Sequence, residues 1–151
     1  MNTVMMRAPL AWALAASLLV LMVEPALAQP SDGHGTPKGT TGLGKSSPST
    51  SDVSLDPAWR VYAFERDGVS YLQVNDLSGA VHAVVGLVGG VVWTLPLGSD
   101  VDRVSTPQQP LPVAPDATWS VVYRSAEVEL KVYAEAGTPV WVVAIPSTNA
   151  P

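Results

Sequence analysis

The sequence predicts an all-β protein, a small antiparallel sandwich or barrel of six to seven strands, and three observations predict it. From Leu55 onward the chain is built of short valine-rich and aromatic runs, turn residues punctuate those runs, and no stretch keeps a 3.6-residue apolar period long enough for a helix. The 151 residues suit one domain preceded by two short N-terminal stretches of different texture.

Residues 1–28 carry the parts of a cleavable export signal in order: Arg7 for the positive end, an apolar run over 8–23, and the small-residue site Ala26-Leu27-Ala28. The apolar run stops at Glu24-Pro25, short of the roughly 20 residues a membrane-spanning helix needs. The expectation is cleavage before Gln29, a secreted or periplasmic location, and no membrane association afterwards. Residues 29–54 are mostly Gly, Ser, Thr and Pro, with Leu43 and Val53 as the only aliphatics. Ordering them costs at least about 25 kcal/mol of backbone entropy, against roughly 5 kcal/mol from burying two aliphatic side chains. This stretch is therefore expected as a disordered tail, and residues 55–151 as the folded domain.

Within the domain, strands are expected over 59–66, 69–75, 80–88, 91–97, 119–124, 128–135 and 140–145. Asp67-Gly68 is a two-residue hairpin signal, Asp76-Leu77-Ser78-Gly79 suits a four-residue turn, and Gly89-Gly90 allows the positive φ of a tight reversal. The clearest alternation runs from Glu127 to Glu135: Val128, Leu130, Val132 and Ala134 face one way, and Glu127, Glu129, Lys131, Tyr133 and Glu135 the other. Residues 106–115 hold four prolines and cannot form a central strand, so they are expected as an extended crossing. Trp59-x-Val61 with Leu72-x-Val74 is echoed by Trp119-x-Val121 with Leu130-x-Val132. The echo raises two copies of one three-stranded meander, although period-2 patterning produces such matches freely.

Charge and composition remove several function classes. The net charge is −5, and after Ser54 the five basic residues Arg60, Arg66, Arg103, Arg124 and Lys131 are scattered among ten acidic ones. Nucleic acid and anionic membranes need a clustered positive field, so neither is an expected partner. The chain has no cysteine, which excludes disulfides, thiolate metal sites and a Cys nucleophile.

Catalytic and metal constellations are weak. His82 is the single histidine after the tail, and strict alternation in its strand turns it to a sheet surface; a nucleophilic triad would also need a serine and an acid that spacing does not place. Glu127 and Glu129 share a strand face at roughly the 7 Å separation of two residues along a strand, yet glycosidic carboxylates usually face each other across a cleft. Asp100-Val101-Asp102 offers too few oxygens for calcium. The tail run Asp32-Gly33-His34-Gly35 has one histidine, and the tail glycines follow no strand, so neither forms a selective metal site or a phosphate loop. No cofactor, no metal and no catalytic residue are expected.

The most informative stretch is the hairpin 80–97, apolar on both strand faces. Val81, Ala83, Val85 and Leu87 alternate with Val84 and Val88, and the returning run sets Val91, Trp93 and Leu95 against Val92. A sheet wet on one side does not tolerate this composition. Either the hairpin is central to a closed sandwich or barrel, or one face is covered by a second copy, a protein partner or an apolar ligand. Trp59, Trp93, Trp119, Trp141 and four tyrosines supply further contact area, and aromatics aligned on one exposed face would suit sugar rings. The expectation is a non-enzymatic binding module for a protein partner, inhibitor-like, contacting it through Val84, Val88, Val92, Trp93 and Trp141. A glycan-binding domain is the alternative class, and a small secreted hydrolase the third.

Overall fold

The computed structural model describes residues 38–135 and 137–146; the expected export signal and the first part of the expected tail lie outside the described residues. Every predicted run becomes a strand: β1 (Trp59–Arg66), β2 (Val69–Asp76), β3 (Val81–Val88), β4 (Val91–Thr94), β6 (Thr118–Arg124), β7 (Glu129–Glu135) and β8 (Thr138–Ala144). One more, β5 (Val104–Ser105), follows a 3-10 turn at Val101–Arg103. Two residues are too few to show a period, so the sequence carries no signal for β5.

The strands form two four-stranded sheets, ordered β1-β2-β3-β4 and β5-β8-β7-β6. All pairings are antiparallel except β5 with β8. Asp67 and Gly68 both take positive φ, 53° and 77°, the geometry whose twist matches a two-residue hairpin. The 106–117 connection runs from one edge of the second sheet to the other, since β5 and β6 are its end strands. The sheets face each other across a core that includes Val61, Leu72, Val74, Val85, Val92, Val122, Leu130 and Val143, with Trp141 fully buried.

Both β1-β2-β3 and β6-β7-β8 are antiparallel meanders, but the sequence echo between them is out of phase. Val61 is in the core opposite Val74, whereas Trp119 and Val121 pair with Tyr133 and Lys131 on the outer face.

The domain also begins earlier than composition suggests. Residues 38–54, read as coil, lie against the first sheet. The Gly39 amide donates to the Ala63 carbonyl, the Glu65 amide donates to Gly39, and the Val53 amide donates to Val61. Gln73 and Asn75 are fully buried on the outer face and engage this strap: the Gly44 amide donates to Gln73 Oε1, Gln73 Nε2 donates to the Lys45 carbonyl, and Asn75 Nδ2 donates to the Ser46 carbonyl. Two aliphatic side chains alone do not order this stretch; each of these bonds also removes an otherwise orphaned buried polar group. Gly39 packs on the Phe64 ring so tightly that a Cβ there would fall 2.9 Å from it.

The free sheet edges are blunted by the chain itself. The strap bridges β1 at Phe64 and Tyr62, Gln108 Oε1 accepts from the Val92 amide on β4, and the Leu55 amide donates to the Val122 carbonyl on β6. Edges stoppered this way resist strand addition.

Candidate functional site

Two local departures from regular sheet create the site. In the β2-β3 register Val74 pairs with Ala83 and Asn75 with Val81, so His82 is an extra, bulged residue. A bulge re-aims the side chain it carries: His82 turns inward, against the predicted alternation, and packs edge-on to Trp59 at 5.0 Å. Trp59 in turn meets Trp141 edge-to-face at 4.7 Å and 80°.

The second departure is the link between the sheets, which carries Asp100. Its backbone amide donates to the His82 carbonyl, and Gly98 just before it, at φ 110°, lies so close that a Cβ would be 2.3 Å from that oxygen. Only glycine fits this approach. It delivers the Asp100 carboxylate, 1% exposed, to donors from both sheets: Trp141 Nε1 at 2.9 Å, His82 Nδ1 at 2.8 Å, Ser99 Oγ at 2.9 Å and the Arg103 guanidinium. Arg103 Nε donates onward to the Pro139 carbonyl. Burial pushes the Asp100 carboxyl up, but hydrogen bonds from Trp141, His82 and Ser99 outweigh it and hold the group below its ordinary value. An ionised carboxylate only accepts, so Nδ1 of His82 carries the hydrogen.

The other imidazole nitrogen, Nε2, faces Asp76 Oδ2 at 3.4 Å. Asp76 Oδ1 is occupied by its own turn, accepting from the Ser78 hydroxyl and from the amides of Ser78 and Ala80. The Ser78 hydroxyl leads in drawing this carboxyl down to about 2; burial, the next effect in size, opposes it, and Ala80, His82 and the Ser78 amide add to the lowering.

Asp76, His82 and Trp59 line one side of an open cleft of about 550 Å³ at the end of the sandwich. Thr118, Trp119, Ser120, Val132, Ala134, Gly137, Thr138 and Pro139 line the rest. The cleft exists because small side chains, Ala134 and Ser120, occupy inward positions where the rest of the sheet carries Val and Leu. Its size and its mix of apolar walls with a few polar groups match small-molecule sites in general.

The residues expected to meet a partner divide. Val84 and Trp141 are fully buried and Val92 nearly so, while Val88 (46% exposed) and Trp93 (36%) are on the surface. Val84 lies opposite Gln73 in the register, beside the strap that binds Gln73, and is fully buried by the chain itself, whereas Val88 and Trp93 on the same face stay exposed. Trp141 belongs to the core through the Asp100 bond. Trp93 stays outside, lying on Gly86, where a Cβ would fall 2.4 Å from its ring.

The acidic pairs also resolve. Glu129 bonds Lys131 at 2.9 Å and also Arg124; Lys131 leads, burial opposes and Arg124 adds, and together they hold its carboxyl below the usual range, the opposite of what a glycosidic proton donor needs. Asp100 is spent on the donors above, and Asp102 is exposed. The carboxylate-oriented imidazole, which spacing alone did not reveal, shares the Asp–His pairing of a nucleophilic triad. Of the nearby hydroxyls, Ser99 sits on the Nδ1 side at 3.4 Å and Ser120 donates to Asp56, so neither is aligned with Nε2.

Comparison with protein-family models, with curated proteins and with solved structures returns no match.

Proposed function

We propose that the mature chain, released outside the cytoplasm by cleavage before Gln29, is a non-catalytic glycan-binding module whose cleft holds one sugar ring. One observation carries the reading: an aromatic wall, an ionised carboxylate and an oriented imidazole converge in a single open cleft at Trp59, Asp76 and His82. A pyranose presents an apolar C–H face to an aromatic ring and hydroxyls at its rim. Asp76 Oδ2 accepts from a hydroxyl, and the hydroxyl-bearing Thr118 and Ser120 line the opposite wall.

The test is titration of glucose and of N-acetylglucosamine into the mature protein, followed by amide shifts in NMR spectra. Shifts confined to residues around Trp59, His82 and Ala134 are expected, and Ala134→Phe, which fills the cleft from an exposed position, should abolish them. Binding that survives Ala134→Phe with an unchanged fold would overturn the cleft as the site.

A second reading, a protein partner, draws on a different observation: Val88, Val91 and Trp93 leave an apolar patch on the β3-β4 hairpin. Sedimentation of the wild type beside Val91→Lys tests its self-association form. A dimer that the substitution dissociates supports that reading, and a monomer at all concentrations removes it.

A further inference from the structure

We infer that the ligand is an uncharged oligosaccharide longer than one ring, and that it leaves the cleft across Trp119 onto a second aromatic platform formed by Trp119 and Tyr133 on the outer face of the β6-β7 pair. The inference rests on the glycan reading of the cleft and extends it.

Trp119 belongs to both places. It lines the cleft, yet it is 55% exposed and pairs across the strands with Tyr133 on the solvent side of the second sheet. The two rings lie 6.2 Å apart with their planes tilted by only 33°. The core pairs behave differently: Trp59 meets both His82 and Trp141 at 80°, the edge-to-face arrangement that ring quadrupoles favour when rings pack on each other. Rings tilted this way are not closed edge-to-face on each other, and Trp119 keeps more than half of its surface open to solvent.

The platform is also held in place. Lys131 Nζ sits 4.8 Å over the Trp119 ring and is fixed by Glu129, which in turn bonds Arg124. The chain Arg124–Glu129–Lys131 therefore fixes the ring in advance and sets N–H donors beside it, the combination of stacking surface and flanking polar groups that sugar hydroxyls require. Charge selects among glycans. A protein of net charge −5 repels a polyanionic chain at long range, and the cleft at its other end presents the Asp76 carboxylate. The occupant that fits both ends is uncharged.

The experiment is calorimetric titration of the mature protein with cello- and chito-oligosaccharides of one to six residues. Affinity is expected to rise with length by at least about tenfold and then level off, about what one added stacking contact supplies. Tyr133→Ala, outside the cleft lining, should return the long oligomers toward the affinity of the single sugar while leaving single-sugar binding unchanged. Trp119→Ala, at an exposed residue that also lines the cleft, should weaken the long oligomers more than it weakens the single sugar. If single sugars bind and Ala134→Phe blocks them, but length has no effect or Trp119→Ala changes nothing, the platform is refuted and the cleft reading stands. If no sugar of any length binds, both fall. Tighter binding of a polyanionic glycan such as alginate than of the uncharged oligomers would refute the charge argument.

Discussion

Removing the Asp100 carboxylate should cost this domain a large part of its stability. In Asp100→Ala, the Trp141 indole N–H, His82 Nδ1 and the Arg103 guanidinium lose an acceptor that is 1% exposed and sits where water does not reach. Breaking a buried charged cluster by deleting one partner costs about 3–5 kcal/mol, against a total native stability of about 5–15 kcal/mol. With a urea m-value of roughly 1.5 kcal/mol/M for a domain of this size, the midpoint should fall by about 2–3 M. Tryptophan fluorescence reports the transition directly, because Trp141 and Trp59 sit beside the lost group. Trp141→Phe removes one donor and leaves the carboxylate three, so it should cost less, about 1–2 kcal/mol. The acid limb gives an independent check. The folded carboxyl lies below its unfolded value of about 3.9, so its contribution is present above that pH and is lost as pH falls through the folded value. The wild-type midpoint should therefore drop below about pH 4 more steeply than that of Asp100→Ala. A midpoint change under about 0.5 M, or parallel acid limbs, would refute the view that this carboxylate clamps the two sheets.

Gly86→Ala places a Cβ 2.4 Å from the Trp93 ring; the ring should swing outward at a cost of about 1–3 kcal/mol, read as a red-shifted emission, and an unshifted spectrum would contradict the stacked geometry. A chain beginning at residue 51 loses the part of the strap that includes Gly39 and uncovers Phe64, worth about 1.5–3 kcal/mol as an upper figure; hydrogen exchange of the β1-β2 amides should accelerate, and unchanged protection would show that the lost part adds nothing. Asp76 should titrate near pH 2 in carboxyl NMR because Ser78, Ala80 and His82 stabilise its ionised form. Ser78→Ala should raise that midpoint, and a value left in place would locate the cause elsewhere.

Much of the fold was legible because the second meander obeys a simple alternation. Val128, Leu130 and Val132 all turned inward as their spacing predicts, and Asp67-Gly68 turned as its residue types require. The site was not legible, for reasons that are physical. A bulge changes no residue type, so nothing in Val81-His82-Ala83 announces that His82 faces inward; the signal is the register of β2 against β3. Asp100 looked like half of a weak cation site because its partners His82 and Trp141 lie 18 and 41 residues away. The hairpin 80–97 left two readings open, the centre of a closed sandwich or a face covered by another molecule; Val84 is buried by the chain itself, while Val88, Val91 and Trp93 remain exposed. Val84 is buried beside the strap, whose backbone groups composition does not weigh, and Val92 and Trp141 are buried in the core between the sheets, so these three are not on the surface.

The cleft and the clamp depend on each other. A sandwich normally keeps its sheets together with large apolar side chains along the whole interface, yet at the cleft end the inward positions hold Ala134, Thr118 and Ser120, and water reaches between the layers. Without another tie the sheets would splay there or close over the gap. The Asp100 network supplies the tie: it joins His82 of the first sheet to Trp141 of the second through directional bonds, and Arg103 anchors it to Pro139 on the cleft wall. Directional bonds hold a spacing that apolar packing would collapse. An opening kept at fixed width beside a fixed imidazole is what a binding site needs, and it follows that loosening the clamp should weaken ligand binding more than an equal loss of stability made at the opposite end, for example by Val143→Ala.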